Sequence, residues 1–179
     1  MIEIIVVVVI LAIAAMAVVP KFLSTAKQEG DVAVDRVGEL LRLFAYRQAL
    51  SSQQVAIWRD GGDGSIQLLV MDTDPDKPDA KPEWRVDRFA ARVRLPDGMD
   101  VTDVRMNEQR MRTDEWLLSS TPGALRPHIE IRVAGNGVDS TLVLPRGSAS
   151  VVRVDEGRES PIVRIPIDLQ QAGREGEPW

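Results

Sequence analysis

The sequence predicts an α+β fold in which one long N-terminal helix packs on an antiparallel β-sheet or sandwich. Three observations predict it. An apolar run fills the first 20 positions, a helical pattern of apolar residues follows it, and short β-rich runs separated by turn residues occupy the rest. With 179 residues, of which 44% are hydrophobic and 27% charged, the chain is long enough for one globular unit plus an accessory segment.

These patterns divide the chain into consecutive segments. We expect a transmembrane helix over residues 1–24, an amphipathic helix over 25–52, a β-rich head domain over 53–167 that includes an acidic loop at 72–83, and a flexible tail over 168–179.

The first segment contains an unbroken apolar run over residues 4–19. As a helix this run, extended by Met1 and Ile2 around Glu3 to about 18 residues, spans roughly 27 Å, close to the ~30 Å of a bilayer core. A buried core element is the alternative, but a helix of a water-soluble protein normally keeps a polar stripe, which this run lacks. The run therefore predicts a helix that crosses a membrane.

A cleaved secretory signal peptide is the competing interpretation of the same run. Residues 12–14 and 15–17 each offer a small-x-small cleavage site, and cleavage after Ala17 would release a secreted binding module. However, no basic region precedes the run, and Glu3 stands where such a peptide carries lysine or arginine. A carboxylate at the edge of hydrocarbon is costly, so Glu3 indicates either a partner or a carboxyl that reaches the lipid headgroups.

A second helical pattern follows Pro20. Apolar residues recur at steps of three and four, and charged residues fill the opposite face. The pattern predicts one helix from about residue 2 to 52, loosened at Pro20 and Gly30, with Asp31 as a cap or a first-turn acid. Five apolar side chains are expected to pack on the head domain: Val34, Val37, Leu40, Leu41 and Phe44.

The head domain begins at Val55 and consists of short β-rich runs without intervening helices, which predicts an antiparallel sheet or sandwich. Its clearest hairpin signal lies at residues 129–137. Apolar and charged residues alternate over 129–133, and Asn136-Gly137 follows, a pair that favours a type I′ turn. The expected strands are 55–58, 66–71, 91–95, 101–106, 116–119, 129–133, one at Leu142 and Leu144, 151–154 and 162–167.

No combination of residues in the sequence suggests catalysis. The absence of cysteine excludes disulfides, thiolate metal sites and cysteine nucleophiles, and His128 is the only histidine. No Gly-x-Ser-x-Gly or Walker loop accompanies it, so we expect a structural or surface histidine, no enzyme and no cofactor. Trp58, Trp84 and Trp116 are expected to be core or interface aromatics.

Two acidic segments resemble ion-binding loops. Asp72, Asp74 and Asp76 alternate as at the start of a calcium loop, but Pro75 intervenes and the glycine and glutamate of such a loop do not follow. In residues 60–64, glycine and aspartate are what a hairpin turn requires. We therefore expect a solvated loop and a turn, without a metal. The net charge of -5 also makes the chain a poor polyanion binder, so we expect no nucleic acid partner.

Residues 1–22 resemble the prepilin N-terminal methylation motif. In that family a glutamate near the mature N-terminus is followed 17 residues later by a proline, and Glu3 and Pro20 have this separation. The family's basic leader, cleaved glycine and Phe-Thr pair are missing, and Met1 stands where an aliphatic residue would be. Either the true start lies upstream, which we expect and which would supply the leader for prepilin peptidase, or this copy is not processed in the usual way.

The segment over residues 40–50, followed by 55–58, resembles the helix end and first strand of H-type minor pseudopilins and of their type IV minor pilin relatives. The Tyr-x-x-Asp motif and calcium loop of the major pseudopilin are not seen. The resemblance implies a minor pseudopilin of type II secretion, a single-pass inner-membrane protein with its head in the periplasm. Its helix would contact other pseudopilins or pilins, and Glu3 would meet the N-terminal ammonium of a neighbour. A minor pilin of a type IV pilus is the alternative.

Overall fold

The structure, a computed structural model, describes residues 2–50, 53–73 and 81–156, with the side chains of residues 2–6 and 9–24 left outside this description. The chain begins with helix α1, Ile2–Leu50, a single α-helix of 49 residues. At 1.5 Å per residue it is about 73 Å long. The helix continues through both Pro20 and Gly30, as the prediction of one long helix requires. Pro20 removes one backbone N–H from the helix without ending it.

Nine strands follow the helix, and no further helix lies among the described residues. In chain order they are β1 (Val55–Arg59), β2 (Ile66–Asp72), β3 (Glu83–Val86), β4 (Met99–Met106), β5 (Gln109–Arg110), β6 (Trp116–Ser119), β7 (Ile129–Gly135), β8 (Val138–Leu144) and β9 (Val152–Asp155).

The strands form two antiparallel sheets. The first has four strands in the order β3-β2-β1-β6, and the second has five in the order β5-β4-β7-β8-β9. The predicted hairpin joins β7 to β8. Asn136 and Gly137 have φ values of 52° and 75°, as a type I′ turn requires. The fold is therefore α+β, with a helix packed on antiparallel sheets, as the sequence predicts.

Three parts of the head differ from the prediction. The expected strand at 91–95 is wrong, because only Val93 pairs with Ile66, through backbone hydrogen bonds of 2.8 and 2.9 Å. The side chains of Arg92 and Arg94 on either side form ion pairs with Asp63. Strands β3 and β5 were not predicted, and β3 begins inside the expected acidic loop. Residues 74–80, the predicted strand at 162–167 and the predicted tail at 168–179 lie outside the described residues.

One hydrophobic core lies between the helix and both sheets. Helix α1 contacts β8 of the second sheet and both β1 and β2 of the first. The largest fully buried side chains come from all three layers, so neither sheet buries its inner face without the helix. They are Phe44, Leu41, Val34 and Val37 from α1, Ile57, Ile66, Leu68 and Leu118 from the first sheet, and Ile129, Ile131, Leu142 and Leu144 from the second.

Candidate assembly surface

The residues that the sequence assigns to assembly lie on helix α1. Glu3 and Pro20 belong to the helix, but their side chains lie outside the described residues. Within the part of the chain that the structure describes, no helix offers a stretch both long and apolar enough to cross a membrane. Of the apolar run at 4–19, only Val7 and Val8 have described side chains, and these are 55% and 57% exposed.

The face of α1 that packs on the head begins at Gly30 and ends at Ala45. The five side chains expected there, Val34, Val37, Leu40, Leu41 and Phe44, are all buried, with at most 2% of any of them exposed. Their spacing of three and four residues places them on one side of the helix, which explains why a single stripe serves both sheets.

Gly30 is a packing residue rather than a point of weakness. It is buried, and a Cβ atom at this position would lie 2.9 Å from Met99 Sδ and 3.0 Å from Val138 Cγ2. Glycine in a helix interior costs about 1 kcal/mol relative to alanine. Here its lack of a side chain lets the helix backbone approach β4 and β8 closely.

A salt-bridge cluster around Arg153 joins α1 to β9. Arg153 Nη2 lies 2.5 Å from Asp31 Oδ1, Nη1 lies 3.0 Å from Asp35 Oδ1, and Nε lies 2.7 Å from Asp155 Oδ1. Partial burial lowers the pKa of Arg153, but its hydrogen bonds to Asp31 and Asp155 outweigh that effect and raise the pKa above its usual value. Asp31 is therefore an ion-pair partner in the middle of the helix, and the expectation of a cap or a first-turn acid is wrong.

A second ion pair holds the C-terminal part of α1. Arg47 Nε lies 2.9 Å from Asp87 Oδ2, in an orientation that gives an ion pair without a hydrogen bond from Nε, while Arg47 Nη2 donates to Asp87 Oδ1 at 3.2 Å. The carboxylate of Asp87 is 2% exposed. A buried carboxylate needs such a partner because desolvation without one is costly.

The last turn of the helix is bound to two loops. The buried Arg126 donates from Nε to Gln48 Oε1 at 2.8 Å, and Nη1 donates to the carbonyl of Ser148. Gln48 in turn donates to the carbonyl of Ala124 at 3.4 Å. Burial lowers the pKa of Arg126. Three contacts spread along α1 therefore fix its C-terminal half to the head.

The residues considered for chemistry have structural contacts instead. His128 Nε2 lies 3.0 Å from Glu130 Oε1, and Asp63 at the β1–β2 turn lies 3.0 Å from Arg94 Nη2. Among the described residues, no group of three or more acidic or histidine side chains could hold a metal ion. Trp116 is buried, and Trp58 and Trp84 are half-buried.

Sequence reasoning missed the residues that fix the helix to the head. Asp31 and Asp35 pair with Arg153 across separations of 122 and 118 residues, and Arg47 pairs with Asp87 across 40. No local sequence pattern predicts ion pairs between residues this far apart in the chain. The glycine within an amphipathic stripe was a usable signal, because a helix-interior glycine often marks close packing.

The C-terminal half of α1 is held against the two sheets, and its N-terminal half continues beyond them. Among residues 2–29, the described side chains, which are Val7, Val8 and those of 25–29, are exposed or half-exposed, and none is buried. These 28 positions correspond to about 42 Å of helix. Comparison with known proteins gives no matching family model, no matching curated protein and no matching solved structure.

Proposed function

We propose that this chain is a structural subunit of a filament, a minor pseudopilin of type II secretion. Its N-terminal helix is stored in the inner membrane, and its head lies in the periplasm. The observation that carries the proposal is the division of α1. Among the side chains of this continuous helix that the structure describes, the buried ones lie between Gly30 and Ala45, and about 42 Å of helix precedes them.

The length and composition of that N-terminal part support the proposal. The apolar run over residues 4–19 contains no charged or polar side chain, and with Met1 and Ile2 it spans roughly 27 Å of helix, close to the ~30 Å thickness of a bilayer core. A helix fixed to its head along four turns also transmits its position to the head, which a subunit that joins others through the helix requires. The resemblance of residues 1–22 to the prepilin motif identifies Glu3 as the assembly residue.

The role of Glu3 is to set the register between neighbouring helices. An Ile and Val surface packs almost equally well when it slides by one turn along a neighbour. A carboxylate that must meet an ammonium penalises every arrangement that leaves one of the charges unpaired. Glu3→Leu therefore retains membrane insertion, and even improves it slightly because a polar group leaves the bilayer, but abolishes incorporation into the filament.

The test is complementation of a strain that lacks the gene, with the natural start of the chain established by N-terminal mass spectrometry. Secretion and inner-membrane fractionation are measured at matched expression, with Glu29→Leu as the control, because Glu29 is exposed on the same helix outside the apolar run. Wild-type secretion by Glu3→Leu would refute the role of Glu3. Recovery of the full-length wild-type chain as a soluble monomer without detergent would refute the membrane anchor.

A further inference from the structure

The outer side of α1 carries a second apolar stripe. Among the side chains of residues 25–50, the exposed large hydrophobic ones are Val32, Leu43, Tyr46 and Leu50, which are between 39% and 84% exposed. They follow one another at steps of 11, three and four residues, so at about 100° per residue they fall within an arc of about 60°. We call these four side chains the outer stripe. Such clustering on a soluble domain marks an interaction site.

The outer stripe lies opposite the face of α1 that packs on the head. Leu41, at the centre of the buried face, is nine residues from both Val32 and Leu50, which is about two and a half helical turns. Both sheets therefore lie on the far side of α1 from the stripe. With 18 residue steps between its ends, the stripe is about 27 Å long.

Two opposite charges interrupt the outer stripe. Arg36 and Glu39 lie on the same side of the helix, between Val32 and Leu43, and both are exposed. With them included, the stripe advances by four, three, four, three and four residues, the spacing of a coiled-coil seam. Within the described part of the chain, neither Arg36 nor Glu39 has an ion-pair partner. A matching partner must therefore offer apolar side chains and, between them, an acid for Arg36 and a base for Glu39.

We propose that the outer stripe binds the outer stripe of a second copy of this chain, with the two helices parallel and a two-fold axis between them. A second copy meets both requirements, because it offers the same apolar side chains and brings a Glu39 to each Arg36. The charges also fix the register, since a slide of one helix along the other separates at least one of the two Arg36–Glu39 contacts.

The parallel direction of the helices rests on the proposed function. Two chains whose N-terminal helices enter the inner membrane from the same side must run in the same direction. A seam of 19 residues is short for a stable coiled coil, but anchorage in one membrane raises the effective concentration of one chain near the other. A short seam is then sufficient for pairing.

Phe89 extends the apolar surface beside the outer stripe. It is 85% exposed and lines one cavity together with Leu43, Tyr46 and Leu50. Its position is fixed, because Asp87 Oδ1 accepts a hydrogen bond from the backbone N–H of Phe89 at 2.7 Å. The Arg47 guanidinium carbon also lies 5.3 Å from the centre of the Phe89 ring, within the range of a cation–π contact. Phe89 can therefore contact a partner helix at the edge of the seam with little ordering cost.

The test uses disulfide formation in the full-length chain, which contains no cysteine of its own. In a parallel pair Leu43 faces the same residue of the partner, so Leu43→Cys is introduced alone. Leu125→Cys is the control, because Leu125 is 79% exposed and lies outside α1. Cross-linking is measured on non-reducing gels, in whichever fraction holds the chain, membrane or soluble. We expect the Leu43→Cys dimer to form roughly tenfold faster than the Leu125→Cys dimer.

Charge exchange tests whether the partner is a second copy. In the Leu43→Cys chain, Arg36→Glu places four acids at the seam and Glu39→Arg places four bases, so each should slow cross-linking roughly tenfold. The two changes together should restore the rate, because each chain again brings an opposite charge to its partner. Both residues are exposed, so these variants should leave the packing of the head intact.

Equal rates for Leu43→Cys and Leu125→Cys would overturn the proposal, and so would a double exchange that stays slow. Cross-linking of Leu43→Cys only to Val32→Cys would also overturn it, because those two residues meet in an antiparallel pair. A disulfide to a protein of another size would overturn it and assign the stripe to a different partner. None of these results would bear on secretion by Glu3→Leu or on membrane fractionation, so they leave the proposed function to its own test.

Discussion

Arg153 on the last described strand lies 2.5 Å from Asp31 in the middle of the long helix, across 122 residues of chain. The Arg153 guanidinium also pairs with Asp35 and Asp155, so this residue joins the edge strand of the five-stranded sheet to α1. The Arg153 side chain is only 26% exposed, so solvent screens these pairs less than it screens surface ion pairs.

Replacing Arg153 should therefore weaken the attachment of the helix to the sheet. Arg153→Met retains the aliphatic stem and leaves three carboxylates without their shared cation, so we expect a loss of about 1–2 kcal/mol in the free energy of unfolding. Chemical denaturation followed by tryptophan fluorescence measures it. Arg112→Met is the control, because Arg112 pairs with Asp114 on the open surface, and its replacement should cost much less than that of Arg153. Equal losses would mean that the Arg153 cluster contributes no more than a surface pair.

The two glycines of the amphipathic helix should respond in opposite directions to alanine. A Cβ at Gly38 would lie 3.7 Å from Leu142 Cδ2, an ordinary contact, so Gly38→Ala should stabilise the chain by about 0.5–1 kcal/mol. A Cβ at Gly30 would press on Met99 and Val138, so Gly30→Ala should be less stable than Gly38→Ala by roughly 1–2 kcal/mol. Comparison of the two unfolding midpoints is the measurement. A Gly30→Ala chain as stable as Gly38→Ala would show that α1 does not approach the sheets this closely.

Asp63 should make the stability of the head sensitive to acid. Hydrogen bonds from Ser65 and then from Arg94, with the charge of Arg92, hold the pKa of the Asp63 carboxyl well below its usual value. The contribution of a carboxylate with a lowered pKa is present above the unfolded pKa of about 4 and is lost as the pH falls towards the folded pKa.

The unfolding midpoint of wild type should accordingly exceed that of Asp63→Asn at pH 6, and the gap should shrink steadily below about pH 4. Titration of the other carboxylates cancels in this comparison between the two proteins. A gap that stays constant down to pH 2 would contradict the role of the ionised carboxylate in the β1–β2 turn.

Nucleic acid should not bind the chain at physiological salt. The chain carries 22 Lys and Arg residues against 27 acids. Most arginines of the described head contact carboxylates, so few counterions would be released from a phosphate backbone. A gel-shift titration at micromolar protein is the measurement, with the salt concentration varied. A salt-sensitive shift would contradict the expectation and would favour the type IV pilin alternative.

Much of the fold could be predicted because its signals are local. The alternation in residues 129–133 and the turn at Asn136-Gly137 specified the β7–β8 hairpin, and the helical stripe around Leu41 specified the buried face of α1. The false strand at 91–95 had the right residue types, but only Val93 pairs with another backbone segment, at Ile66. Local propensity could not show which residues would meet a partner strand.

The residues that fix the helix could not be predicted for the same reason. The side chain of Asp87 looks like any other loop aspartate in the sequence, yet it is buried beneath Arg47 and positions Phe89. Its role depends on the approach of α1 to the turn after β3, and only the folded chain specifies that approach.

The attachment of α1 to both sheets also determines how the head responds to mechanical force. The buried face extends over 16 residues, from Gly30 to Ala45, and further contacts bind its two ends. Tension applied along the axis from the N-terminal end would load this interface in shear, so the contacts along it would share the load. Because α1 packs on both sheets, a force on the helix is transmitted to both sheets together.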